Sequence, residues 1–458
     1  MGDAGDTGDT GDAGSKKGFQ AAQTKSHGKA VPKTRFGRFA KVAKLAGGVA
    51  GGMLAEGARQ YRAGNRPSKR DMLFTPSNAR RVTQQLSEMR GAAMKMGQIL
   101  SMDSGEFLPK ELTDIFASLR SEGTNMPVAQ LEETMAEAYG SDWESEFQLF
   151  DRYPIAAASI GQVHRAVAHD GTELALKVQY PGVAQSISSD VDNIATVLRL
   201  SGLLPAEVDI QPFLDDAKQQ LNDEANYLKE ARFLQRFNDV LGDDDRFLLP
   251  ALVPELTKRN VLAMTYVAGG PIDALVRRPQ DERDRVMSAL MDLMLTELFE
   301  LRMVQTDPNF ANYQYRWSTG DIVLLDFGAT REFKARFVSN YRKLAAAAVA
   351  GDRDAMAIAA EKVGYSIGDE DSHYRELVLE LLLLALEPLR HDENYDFSQS
   401  TMPARLSQLG KAAKEYADFW KAPPTDVVYF HRKLGGMFML ASRMQAKVNT
   451  HELMQHWL

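Results

Sequence analysis

The chain has 458 residues, 44% of them hydrophobic and 25% charged, with a formal net charge of −8 and no cysteine. That length and balance describe a globular protein of one large or two fused domains, with ample chain to bury a core. The acidic sum excludes a nucleic-acid-binding signature, and the missing cysteines exclude disulfides and thiolate metal sites.

Residues 1–14, MGDAGDTGDTGDAG, repeat Gly-Asp-x without apolar periodicity and are expected to be disordered. Residues 15–55 then carry nine Lys or Arg and no Asp or Glu. Such a run before an Ala/Gly/Leu-rich helix suits an anionic membrane surface, and a solvated basic tail fits equally well. Asp3, Asp6, Asp9 and Asp12 argue against a mitochondrial transit peptide. The expectation is therefore a cytoplasmic protein, peripheral on a bacterial-type inner membrane, with a mitochondrial one the lesser alternative. The longest uncharged stretches, such as 45–55 and 381–386, fall well short of the ~20 apolar residues of a spanning helix. GGVAGG pairs Gly47 with Gly51 and Gly48 with Gly52, a spacing that serves close helix packing within one chain or in a homodimer.

A second helical region covers about 78–120 and is broken at Asn125-Met126-Pro127. The texture then changes. PIAAASIGQVHRAVAHDGTELALKVQYPG alternates as a hairpin, with a turn at His169-Asp170-Gly171 and a second strand from Leu174 to Val178. DNIATVLRLSGLL and DDAKQQLNDEANYLKEARFLQRF have helical spacing, VLAMTYVAG (261–269) reads as a strand and hinge, and helices dominate thereafter. The plan is α+β in two unlike lobes: a leader over 1–35, a helical extension over 36–125, a β-containing lobe over 126–270 and a helical lobe over 271–458.

The chemistry-bearing residues lie in order along this plan. AAASIGQV (156–163) has the spacing of a kinase phosphate loop, G-x-G-x-x-G-x-V, with alanine at the first two glycines. Backbone amides of Ala156, Ala157, Ala158, Ser159 and Gly161 are expected around the phosphates of ATP. Lys177 follows on the next strand, where V-A-I-K places its phosphate-binding lysine, and its expected carboxylate partner is Glu230, with Glu224 as runner-up. Asp307 and Asn312 are spaced as D-x-x-x-x-N, and Asp326-Phe327-Gly328 comes after a turn and the apolar strand IVLL. Asn312 and Asp326 are candidate Mg²⁺ ligands and Asp307 the candidate base. Gln305 and Thr306 stand where common protein kinases have His-Arg, and no A-P-E follows the DFG, so a peptide-docking platform is not expected. The eight histidines have no ligand spacing, and the methionines of 287–303 fit core filling better than a lipid-facing lining.

KMGQ (95–98), AAASIGQVH (156–164), LKVQYPGVAQSI (176–187), QTDPNFAN (305–312), LLDFGATREF (324–333) and HRKLGGMF (431–438) together resemble the UbiB/ADCK atypical kinase family. The likeness is greatest to its coenzyme-Q-biosynthesis branch and bacterial relatives. It implies a protein-kinase-like fold, ATP and Mg²⁺, and support of ubiquinone synthesis at a membrane, with quinone-biosynthesis enzymes and lipid or quinone precursors as partners. It also implies that Lys95 and Gln98 cap the nucleotide site from the K-x-G-Q helices. The family's E-x-D element reads Glu224-Ala225-Asn226 here, which weakens the expected pairing with Lys95. The alternative to an ATPase or phosphotransferase is a nucleotide-switched scaffold for lipid-handling enzymes.

Overall fold

A computed structural model describes residues 126–200, 211–365, 367, 372–412 and 423–458. The leader, the K-x-G-Q region and with them Lys95 and Gln98 lie outside the described residues.

Helix α1 (Val128–Tyr139) begins after Pro127 and lays Leu131 and Met135 on the first sheet. That sheet is antiparallel, in the order β1 (Leu149–Ala157), β2 (Gly161–Val167), β3 (Glu173–Gln179) and β5 (Val261–Thr265). The β2–β3 hairpin is the one the alternation predicts, turning at Gly171 with φ +89, a conformation costly for any residue with a Cβ. β1 is the edge strand and carries register shifts on both sides of Pro154, a residue that an edge tolerates because it needs no ladder donor there. Leu174, Leu176 and Val178 meet Trp143, Phe147 and Val261 in one small core.

Helices α2 (Val183–Leu200), α3 (Gln211–Glu224) and α4 (Tyr227–Leu241) follow β3. The run read as helical through 215–237 is broken at Asn226, whose side chain caps α4 by accepting from the Lys229 N–H at 3.0 Å. α4 buries Tyr227, Glu230, Ala231, Leu234, Phe237 and Leu241, a helical stripe with one carboxylate in it.

The second lobe is helical, threaded by short strands that the helical pattern hides. β4 (Phe247–Leu248), β9 (Ile322–Leu324), β8 (Tyr313–Tyr315) and β6 (Gly270–Pro271) form one small sheet in that order. β7 (Met303–Gln305) pairs with β10 (Thr330–Glu332). Around them pack α5 (Gln280–Thr296), α6 (Ala335–Ala350), α7 (Arg353–Val363), α8 (Ser372–Ala385), α9 (Met402–Ala412), α10 (Thr425–Met444) and α11 (Thr450–Gln455). β11 (Tyr395–Asp396) and β12 (Lys447–Val448) tie the last turns together. No described helix is long and apolar enough to cross a membrane.

Candidate active site

A cleft of about 930 Å³ lies between the two lobes, with Ala156 to Ile160 and Lys177 on one side and Asp307, Asn312 and Asp326 on the other. β3 presents Lys177 to this cleft, and α4 presents Glu230 behind it. The Lys177 ammonium donates to Glu230 Oε1 at 2.9 Å and Oε2 at 3.1 Å, and to Asp326 Oδ2 at 3.2 Å. Burial alone would lower the Lys177 pKa, but the Asp326 and Glu230 carboxylates outweigh it and hold the amine charged. Burial pushes Glu230 up to about 7, against the pull of Lys177. Glu230 is 1% exposed and does not line the cleft, so it positions Lys177 rather than meeting a substrate itself. A carboxylate on an apolar helix stripe demands such a partner, and that was its signal in the sequence.

The fourteen-residue interval from Asn312 to Asp326 has a simple structural cause. β8 and β9 form an antiparallel hairpin in which Tyr313 opposes Leu324, so Asn312 and Leu325 emerge together from its end. Leu325 N–H donates to the Asn312 carbonyl at 3.1 Å, which brings Asp326 beside Asn312. Asp326 Oδ1 also accepts from the Gly328 N–H at 2.9 Å. A Cβ on Gly328 would sit 3.2 Å from Glu230 Oε2 and 3.3 Å from Asp326 Oδ1, so glycine keeps room for both carboxylates. Phe327 packs on Phe237 of α4 at 4.8 Å between centroids, locking the DFG turn to the helix that holds Glu230. Asp307 lines the cleft; its Oδ1 accepts from the Asn309 N–H at 3.3 Å, and its carbonyl accepts from the Asn312 amide at 3.4 Å.

The alanine loop carries no strain. No residue from 156 to 161 has a positive φ, so glycine's freedom is not required there. Ala158 N–H donates to the Gly161 carbonyl at 2.9 Å, closing the turn on itself. Gly161 departs from its expected role as a phosphate contact. It is buried and absent from the cleft wall, and a Cβ there would stand 2.4 Å from the Val178 carbonyl oxygen. Its glycine serves the close approach of β2 to β3.

The support beneath the Asp307 loop has no local signal in the sequence. Lys433 of α10 is 1% exposed, donates to Tyr313 at 2.8 Å and pairs with Glu297 at 3.1 Å. Glu297 opens the wide π-type turn Glu297–Leu301 after α5. Burial would lower the Lys433 pKa, yet Glu297 and Tyr313 hold it above its ordinary value. One turn on, Gly436 lets α10 touch the loop: its Cβ would lie 2.2 Å from Pro308 Cβ and 3.1 Å from Pro308 Cα. HRKLGGMF was legible as a motif, but nothing local gave it a task.

The donor set fits Mg²⁺. Asn312 and Asp326 offer two hard oxygen ligands, and this ion keeps waters and phosphate oxygens for its remaining positions. Among the described residues no group of three or more His, Asp or Glu is arranged for a metal, so an all-protein cage is not what this site offers.

Residues 118–360 match the family described as the ABC1 atypical kinase-like domain. The chain belongs to this family. Its relatives include the atypical kinase COQ8, mitochondrial, of Saccharomyces cerevisiae, 36% identical over 92% of this chain and 84% of its own length. The atypical kinase coq-8, mitochondrial, of Caenorhabditis elegans is 35% identical over 95% of this chain, which spans 59% of that relative's length. Among solved structures, the Rv3197–erythromycin complex of Mycobacterium tuberculosis superposes with a TM-score of 0.57 at 22% identity. It covers 83% of this chain and 96% of its own, a likeness of fold alone. The kinase-like α+β fold and the family resemblance read from the motifs therefore hold. The localisation does not. Relatives from three animals and a yeast carry the mitochondrial designation, which overturns the preference for a bacterial-type inner membrane. That preference leaned on four aspartates of the leader, residues outside the 118–360 family domain.

Proposed function

We propose that this ABC1-family protein binds Mg·ATP in the inter-lobe cleft and hydrolyses or transfers its γ-phosphoryl group in support of ubiquinone biosynthesis. The observation that carries the reading is the Lys177 ammonium, bonded at once to Glu230 and Asp326 on the wall of a cleft that also holds Asp307 and Asn312. In this reading Lys177 meets the α- and β-phosphates, and amides of 156–159 border them. Asn312 and Asp326 hold Mg²⁺, which when bound neutralises charge on the phosphates. Asp307 is the base for the attacking hydroxyl or water. The ubiquinone assignment is supported by the COQ8 names of the relatives. The basic run of residues 15–55 supports action at an anionic membrane surface.

A peptide substrate is disfavoured by the chain after the DFG. β10 at Thr330–Glu332 pairs at once with β7, and α6 begins at Ala335, leaving no long segment on which a peptide would dock. Mg-dependent ATP turnover by purified protein, with and without anionic liposomes, tests the reading. Asp326→Asn should abolish turnover, and retained activity in that variant would place the metal elsewhere. Nucleotide binding without any hydrolysis would favour the scaffold reading instead.

A further inference from the structure

A second cavity, of about 450 Å³, lies wholly in the helical lobe and shares no lining residue with the nucleotide cleft. Met291 and Met294 of α5, Leu382 of α8 and Leu434 and Phe438 of α10 are among its walls, and no charged side chain lines it. This volume lies within the range of small-molecule sites, which combine an apolar lining with a few placed polar groups.

One polar cluster is set in the wall. His431 Nε2 is 3.0 Å from the Tyr365 hydroxyl and 3.3 Å from the Tyr341 hydroxyl, and all three residues line the cavity. Burial lowers the His431 pKa to about 4, so the ring is neutral near pH 7. The neutral ring carries one N–H and each hydroxyl one O–H, so the cluster holds three protons for two contacts, and at least one donor is left over whichever tautomer the ring adopts. A donor left over beside an apolar space large enough for a ligand favours a ligand that supplies the acceptor.

We propose that this cavity is a second ligand site, for an uncharged hydrophobic molecule whose carbonyl oxygen accepts from the spare donor of the His431–Tyr341–Tyr365 cluster. The hydrocarbon part lies against Met291, Met294, Leu382 and Leu434. Methionine suits such a wall because its unbranched, polarizable side chain conforms to irregular apolar shapes. A quinone ring and a fatty acyl ester present the same carbonyl chemistry, so the test must separate them.

Full-length protein is titrated by calorimetry with decylbenzoquinone, with methyl laurate, and with dodecylbenzene, which lacks oxygen. Saturable binding of at least one carbonyl probe, tenfold or more tighter than dodecylbenzene, is expected. Tighter binding of the quinone assigns the carbonyl to a quinone ring, and tighter binding of the ester assigns it to a lipid; both support the site. The triple variant Tyr341→Phe/Tyr365→Phe/His431→Phe, which removes every donor of the cluster, should bring the carbonyl probes down to the hydrocarbon's affinity. Gly435→Leu should abolish binding while the protein still folds, because a Cβ at Gly435 meets nothing within 4 Å and Gly435 lines the cavity. Absence of saturable binding, equal affinity for all three probes, or unchanged binding in Gly435→Leu would overturn the proposal. Nucleotide turnover is not read, so failure of the ATP assignment leaves this result interpretable.

Discussion

The adjacent glycines of α10 give an internally controlled test of how the Asp307 loop is held. At Gly436 an added methyl would stand 2.2 Å from Pro308 Cβ, whereas carbon atoms in contact sit about 3.5–4.0 Å apart. Pro308 is a ring fused to the backbone, so it cannot turn aside; loop and helix must separate by roughly 1.3 Å or more to restore ordinary contact. Overpacking of this kind costs about 1–3 kcal/mol, offset by about 1 kcal/mol of helix propensity gained on replacing glycine by alanine. The net loss of stability is thus modest, about 0–2 kcal/mol. The catalytic effect is larger, because misplacing a reacting group by about 1 Å can cost ~100-fold. Gly435→Ala, whose Cβ meets nothing within 4 Å, should gain about 0.5–1 kcal/mol and leave turnover unchanged. Urea unfolding and Mg·ATP turnover on the two variants separate the effects. Gly436→Ala protein that turns over within threefold of the parent would refute the claim that α10 sets the loop.

Four further outcomes are expected. Lys433→Met should lose about 3–5 kcal/mol because Glu297 is left charged and buried, while Lys433→Met/Glu297→Leu should recover most of it; equal losses in both, by urea unfolding, would contradict this. His164, fully buried between Gln162 and the Asp151 carbonyl, has its pKa lowered to about 4 by burial. As pH falls from about 6.5 towards 4 the unfolded chain takes a proton that the fold refuses, so stability drops by up to about 3 kcal/mol. His164→Asn should fall less over that range. Comparing the two proteins isolates His164 from Glu230, whose raised pKa acts in the opposite sense as pH rises from 4.5 towards 7. Ala158→Gly should weaken nucleotide binding about two- to fivefold, because the loop needs no positive φ and glycine only loosens it; identical binding curves would count against a stiffened loop. Asp326→Asn, read as Mg-dependent turnover, decides whether the metal pair is correctly placed.

Much of the site was legible because its parts obey local rules. The β2–β3 hairpin follows from two-residue alternation around a turn glycine, and Lys177 stands on the strand that this register presents. Asn312 and Asp326 flank a hairpin whose length dictates their spacing, and Glu230 is the charged member of an otherwise apolar stripe. Asn226 breaks the predicted helical run because it caps a new helix with its own side chain. Other features depend on segments far apart in the chain. Gly161 looks like a phosphate-loop glycine by position and is a packing glycine by contact, decided by the Val178 carbonyl on the neighbouring strand. Lys433 and Tyr313, 120 residues apart, meet only when α10 crosses beneath the hairpin. Pro308 selects Gly436 over Gly435 only because one face of that helix touches the loop and the other borders a cavity. Periodicity and spacing report what a segment does with its own backbone. Burial, close approach and buried charge pairing are properties of two surfaces at once, and packing alone decides which surfaces meet.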